Sequence, residues 1–319
     1  MSVAEILRER KDTGFSFEVL PPLRGRTIDS VFRTIDRLMP FRPLFIEVTT
    51  HRSDFVYRDR GDGTFERVEQ RLRPGTVAIA SAIRQRYSVP VVPHVICSGY
   101  SRQDTENELI DYSFLEIRDL LVLRGDKSKQ DSRFVAKAGG YEHATELIGQ
   151  VNRFNSGVLE YGDRHDFCIN RRFTYGVAAY PEKHEEAMNL QQDIERLREK
   201  QDLGAEYAVT QMFFDTDAYL HFVDKCRASG ISMPIIPGLK PLATMTHCTM
   251  LPRVFHVDFP SALAERLTRC KSDEEVRQVG IEWAIGQCET LRKEGVPCIH
   301  FYTMNAAGSI ESIAKEVWR

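Results

Sequence analysis

Residues 175–212, YGVAAYPEKHEEAMNLQQDIERLREKQDLGAEYAVTQM, hold a short apolar run (Tyr175–Tyr180), a charged stretch with helical character (His184–Leu203) and a second apolar run (Tyr207–Met212). Strand, helix and strand in that order make a parallel pair joined by a crossover helix. Moving outward in both directions, the same alternation returns. Further apolar runs lie at Phe15–Leu20, Leu44–Thr49, Val89–Cys97, Asp119–Arg124, Met233–Gly238 and Cys298–Met304, which brings the total to eight. Helical stretches fill the intervals at Asp29–Leu38, Thr105–Asp111, His143–Phe154 and Asp217–Ala228. The longer interval before the last run has room for Ser261–Leu267, Asp273–Arg292 and a loop or helix near Thr244–Leu251. Eight βα units with no linker between two halves point to a single (β/α)8 barrel over residues 1–319. Two polar stretches, 51–73 and 155–172, fit no core element and read as insertions on the barrel.

Composition narrows the function classes. With 42% apolar and 28% charged residues the chain has the make-up of a globular protein. Its net charge of −3 offers no basic footprint for nucleic acid. The charged opening MSVAEILRERKDTG has no apolar signal region, and no apolar run reaches the roughly 18 residues of a membrane span. A cytoplasmic protein with no membrane partner is expected. The seven cysteines form no CxxC pair, so scattered reduced thiols are expected rather than disulfides or a zinc site.

In an α/β barrel the chemistry sits at the C-terminal ends of the strands. Polar residues at those ends are therefore the candidates: Glu18 within FSFEVLPP, Thr49, Thr50 and His51 after FIEV, and His94 within VVPHVIC. Arg124, Gly125 and Asp126 close the fourth run, and Tyr180–His184 the fifth. Gln211 ends the sixth, Lys240 follows the seventh, and Thr303 and Asn305 end the eighth. Glu18 among apolar neighbours could be a structural carboxylate paired to a cation, or an acid whose raised pKa suits proton donation at neutral pH. Asp126 has the same two readings, and His94 and His184 taken singly read more readily as structural residues. No HxH, HExxH or paired-carboxylate spacing indicates a metal, and no GxGxxG or GxxxxGK[ST] indicates a dinucleotide or P-loop site. The residues alone lead to a barrel enzyme with a carboxylate acid/base pair.

At these same positions the sequence resembles the methylenetetrahydrofolate reductase family. The resemblance runs from about Phe15 to the C-terminus. It rests on FSFEVLPP (15–22), LRGDK (123–127), VAAYPEKHEEA (177–187), VTQMFFD (209–215), IIPGLKPL (235–242) and HFYTMN (300–305). The resemblance implies noncovalent FAD, NADH or NADPH as co-substrate, and reduction of 5,10-methylenetetrahydrofolate to 5-methyltetrahydrofolate. It also implies a ping-pong course, in which nicotinamide and folate visit the same flavin face in turn, and a homo-oligomer. Glu18 matches the general acid that helps open the folate five-membered ring to an iminium cation. Asp126 matches the carboxylate between flavin and pterin, where negative charge favours that cation. Gln211 matches the pterin-binding amide.

The positions matching FAD contacts are Thr49, His94, Arg124, Gly125, Asp126, Ala144, Ala178, Tyr180, His184, Asp193 and Lys200. Among them, Arg124 and Lys200 suit a pyrophosphate and Asp193 suits ribose hydroxyls. The sequence departs from the family pattern in two places. Thr50-His51 stands where Tyr-Gly is common, and Ala306 replaces an arginine associated with the folate tail. Lys240 is then the cation expected to hold the tail carboxylate. Two other classes fit the barrel: a flavin-free one-carbon transferase holding a pterin through Glu18, Asp126 and Gln211, and a barrel that binds a partner without catalysis. Retention of the FAD-side positions together argues for the redox reading.

Overall fold

The computed structural model describes residues 1–128, 130–166, 172–304 and 307–318. In chain order its regular elements are α1 (Val3–Glu9), β1 (Gly14–Val19), α2 (Asp29–Leu38), β2 (Ile46–Val48), β3 (Asp54–Asp59), β4 (Phe65–Gln70), α3 (Thr76–Arg86), β5 (Val91–Ile96), α4 (Arg102–Phe114), β6 (Asp119–Leu123), α5 (Ala144–Asn155), β7 (Thr174–Ala179), α6 (Leu190–Asp202), β8 (Tyr207–Met212), α7 (Thr216–Ala228), β9 (Ile235–Leu239), α8 (His247–Phe255), α9 (Ser261–Thr268), α10 (Asp273–Lys293), β10 (Cys298–Tyr302) and α11 (Ala307–Val317). Eight strands close in the order β1-β10-β9-β8-β7-β6-β5-β2, every pair parallel. The expected (β/α)8 barrel is what forms, and each strand starts and ends within about two residues of its apolar run.

Successive side chains on a strand point to opposite faces, so each strand serves two environments. Phe15, Phe17 and Val19 of β1 face outward into the same apolar cluster as Val31 and Ile35 of α2 and Ile310 and Ile313 of α11. Ser16 and Glu18 consequently face the barrel axis. Helix α1 closes the N-terminal end of the barrel: Val3, Ala4 and Leu7 are buried with Phe45, Val92, Leu121, Tyr207, Ile236 and Cys298. Val3 N donates to Asp119 Oδ1 at 2.8 Å, and Ser2 and Glu5 form a capping box that fixes the helix start. Above this apolar plug the interior turns polar, with Ser16, Glu47, His94 and His300 all buried. That polar layer separates the plug from the mouth.

The stretch 51–73 is more ordered than its composition suggested. It contains the antiparallel hairpin β3–β4, registered from Asp54↔Gln70 to Asp59↔Phe65. Gly61 and Gly63, with φ of 78° and 83°, make the reversal, as the Gly-Asp-Gly sequence allows. Because neither face of the hairpin joins the core, its strands lack the apolar alternation by which strands are recognised. In the second insertion Asn155 clamps Phe173 by two hydrogen bonds of 2.8 and 2.9 Å, and residues 167–171 lie outside the described part. Helix α6 begins at Leu190 rather than near His184. Asn189 caps it by accepting from Gln192 N at 2.9 Å, and the preceding turn carries Lys183 at φ 84°. The six cysteines among the described residues are free, and none of the described helices is long and apolar enough to cross a membrane.

Glycine at 238 is required by packing. A Cβ there would lie 2.3 Å from the Thr210 carbonyl oxygen and 2.6 Å from the Tyr302 ring. Gly238→Ala should lower unfolding stability by about 1–3 kcal/mol, since backbone of β8 has to shift to admit the methyl group. Denaturant titration at constant slope measures this, and an unchanged midpoint would contradict the packing argument.

Candidate active site

Glu18 is the fifth residue of β1 and pairs in register with Glu47 of β2 on one side and Tyr302 of β10 on the other. Only 8% of it is exposed. Burial pushes its carboxyl up from 4.5 to about 7, with His94 and Lys240 pulling down and Glu47 pushing up. Thr303 Oγ1 donates to the Glu18 carbonyl at 2.6 Å and ties β10 to β1 at the mouth. At neutral pH Glu18 is therefore poised between acid and base.

Of the layer beneath Glu18, only His94 stands out in the sequence. Glu47 Oε2 lies 3.0 Å from His94 Nε2 and 3.5 Å from His300 Nε2, while His300 Nδ1 meets Ser16 Oγ at 2.9 Å. Burial alone would raise Glu47, but His300 and His94 outweigh it and hold the carboxyl below its ordinary value. Burial lowers His300, with Glu47 opposing. Glu18, Glu47 and His300 bring three donor atoms within 4.8 Å of one another, a juxtaposition that spacing along the chain does not reveal.

Across the mouth, the loop after β6 carries Arg124, Gly125 and Asp126. Gly125 has φ 77°, and a Cβ there would sit 3.0–3.2 Å from the side chains of Ser98 and Ile96, so the loop hugs β5. Asp126 reaches solvent at the rim, where partial burial raises its pKa, opposed by Arg124 and His184. Tyr302 is an electrostatic neighbour of both Glu18 and Tyr180, and Tyr180 is one of Asp126. Burial and Asp126 together push the Tyr180 phenol up to about 12.

Most positions expected on the cofactor side converge on β6, β7 and α6. Arg124 pairs with Glu186 and lies 4.8 Å over the Phe134 ring. Tyr180 and His184 meet edge to face at 4.7 Å, and His184 N donates to Asp193 Oδ2 at 2.6 Å. Lys200 exposes part of its stem, but its ammonium end is enclosed and donates to Ala178 O at 3.1 Å; burial lowers it to about 8. Ala144 starts α5. Thr49 stands apart at the end of β2, its Oγ1 3.1 Å from His51 Nε2. His94 also stands apart, in the polar layer. Gln211 is half-buried at the end of β8, its Oε1 accepting from Met212 N at 2.9 Å.

Lys240, expected at the folate tail, lies deeper than a rim residue. Lys240 is only 6% exposed, and the Glu18 carboxylate partly offsets the lowering that burial imposes, to about 8. Lys240 therefore lies in the interior beside Glu18, where its charge acts on that carboxyl. Asn305 and Ala306 lie outside the described residues. A cleft of about 750 Å³ between the hairpin, α3 and α4 is lined by His51, Gly99 and Tyr100 among others, and by neither Glu18 nor Asp126.

The sequence model described as methylenetetrahydrofolate reductase matches residues 3–317. The 5,10-methylenetetrahydrofolate reductases of Pectobacterium carotovorum and Escherichia coli K12 are 32% and 30% identical, over 92% of this chain and 86% of each of theirs. Methylenetetrahydrofolate reductase 1 of Schizosaccharomyces pombe is 30% identical over 95% of this chain, which spans 45% of that longer protein. Among solved structures, a Clostridium thermocellum protein described as binding two copies of 5-methyl-5,6,7,8-tetrahydrofolic acid superposes with a TM-score of 0.57 at 13% identity, over 98% of this chain and 97% of its own, a likeness of fold.

The protonation of Glu18 has a consequence for stability. A carboxyl raised from 4.5 to about 7 on folding favours the folded state below pH 4.5, and that contribution is lost as pH rises through 7. Relative to wild type, Glu18→Gln should therefore gain about 3 kcal/mol of unfolding free energy between pH 4.5 and pH 8. Denaturant midpoints across that range test it, and a pH-independent difference would show that Glu18 titrates normally.

Proposed function

The chain belongs to the methylenetetrahydrofolate reductase family, and from that premise we propose that it reduces 5,10-methylenetetrahydrofolate to 5-methyltetrahydrofolate, using FAD and a reduced nicotinamide in ping-pong order. The observation that carries the reading is Glu18, a buried carboxyl held near pH 7 at the mouth of the barrel. A general acid works best when its pKa lies close to the operating pH. Glu18 would protonate the folate nitrogen that leaves as the five-membered ring opens. Asp126, across the mouth, would stabilise the iminium cation so formed, and Gln211 would orient the pterin through its amide.

The chain's residues fit FAD. Arg124 already binds an internal anion, the Glu186 carboxylate, in the manner a pyrophosphate oxygen would require. Lys200 adds a second enclosed cation and Asp193 a hydrogen-bond acceptor, and Gly125 lets the loop that carries Arg124 and Asp126 pack against β5. Bound FAD would supply the two-electron carrier between nicotinamide and folate. The hydride then comes from NADH or NADPH and the proton from Glu18, which balances the reduction. Ala144, Ala178, Tyr180 and His184 would line the cofactor beside these groups, whereas Thr49 and His94, matched to the same cofactor, lie apart from them.

Anaerobic stopped-flow measurements test this directly. The purified, FAD-loaded protein should be bleached by NADH or NADPH and regain its flavin colour on mixing with methylenetetrahydrofolate. Glu18→Gln should keep the first half-reaction within a few-fold and slow the second by about 10²–10⁴. A protein that neither contains nor takes up FAD would overturn the redox reading and leave a flavin-free transferase.

A further inference from the structure

The role of Glu18 as acid leaves unexplained why a second carboxyl is buried beside it. Glu47 is 1% exposed, and the parallel register of β1 and β2 sets its Cα opposite that of Glu18. Side chains opposite one another in a parallel pair share a face, so both point to the barrel axis. Two buried carboxylates this close cannot both be ionised without strong repulsion, unless cations or donors intervene. The donors are disposed unequally. Glu47 has His94 Nε2 at 3.0 Å and His300 Nε2 at 3.5 Å, and His300 is itself anchored by Ser16. On Glu18 the favourable charges are His94 and then Lys240, and burial outweighs both.

We propose that Glu47 is a positioning residue: clamped by His94 and His300 under the mouth, it stays ionised, and its fixed negative charge keeps the proton on Glu18 until substrate takes it. This rests on the reading of Glu18 as the acid. Lys240 works in the opposite sense, since its ammonium favours the Glu18 carboxylate left after proton donation. Glu47 holds the proton and Lys240 eases its release. The groups facing Glu47 are Glu18 and Ser16 from β1, His94 from β5, Tyr207 from β8, and Cys298, His300 and Tyr302 from β10; Lys240 after β9 reaches it through Glu18. Among these, only the histidines give Glu47 close partners of opposite polarity. Its Oε1 has no hydrogen-bond partner among the described residues, which leaves the field of that oxygen directed into the interior.

Infrared spectroscopy of the full-length protein, titrated between pH 4 and 9, reads the Glu18 proton without turnover. The carboxylic C=O stretch that disappears in Glu18→Gln identifies Glu18. In Glu47→Gln its midpoint should fall by about one to two pH units, as expected for loss of a unit charge about 5 Å away at an intermediate dielectric. Glu47→Asp, which keeps the charge, should stay closer to wild type than Glu47→Gln. An unchanged or higher midpoint in Glu47→Gln overturns the proposal, as does an Asp variant that behaves like Gln. Should neither variant fold, the wild-type and Glu18→Gln spectra still decide, because absence of any Glu18 acid band between pH 5 and 7 contradicts the proposal. A stoichiometric divalent ion, whose removal by EDTA restores the acid band, would assign the cluster to metal binding instead and also overturn it. The titration requires neither flavin nor folate, so its failure is distinct from failure of the proposed reduction.

Discussion

A carboxyl group placed inside a closed sheet, away from water but within reach of other charges, is the constraint on which the structure depends. Closing eight parallel strands leaves no edge and fixes which residues face the axis. Once β1 and β2 are in register, Glu18 and Glu47 must share the interior, and the low dielectric there magnifies every charge that meets them. Ordinary carboxylates become an acid and an anion because His94 and His300 together outweigh burial at Glu47, while at Glu18 burial outweighs His94 and Lys240.

The barrel divides its interior by depth. An apolar plug built on α1 fills the N-terminal end, a polar layer of Ser16, Glu47, His94 and His300 lies above it, and the mouth carries Glu18, Tyr302, Lys240 and Gln211. Such a plug is dry, so the polar layer cannot be relaxed by solvent from below. The cationic side of the mouth, formed by Arg124 and Lys200, belongs to different strands from the acid side. Charges that would bind an anion are thereby kept away from the proton donor.

Much of this was legible in sequence because strands buried on both faces write continuous apolar runs, and a polar residue inside such a run stands out. Glu18, His94 and Gln211 were found that way. Glu47 in LFIEVT and His300 in CIHFYTM carry the same signal, yet their meaning depends on which strands become neighbours, and β1 pairs with both β2 and β10. Spacing along the chain has no access to that pairing. The hairpin β3–β4 escaped for the opposite reason: it faces solvent on both sides, so only its Gly-Asp-Gly turn betrayed it. Lys240 reads in sequence only as a cation after a strand, because its burial beside Glu18 follows from how the strand ends are staggered in the closed barrel. Roles at Asp126, Ala144 and the cofactor wall came from family resemblance, since nothing in their local composition names a flavin.

The central claim is that folate reduction draws its proton from a single buried carboxyl with a pKa near neutrality. Its most direct test is the pH dependence of each half-reaction measured in single turnover on wild-type protein. The account predicts that flavin reoxidation by methylenetetrahydrofolate falls above about pH 7 along a one-proton curve, while flavin reduction by nicotinamide shows no such ionisation. Reoxidation that is flat, or that rises, through that range would contradict it.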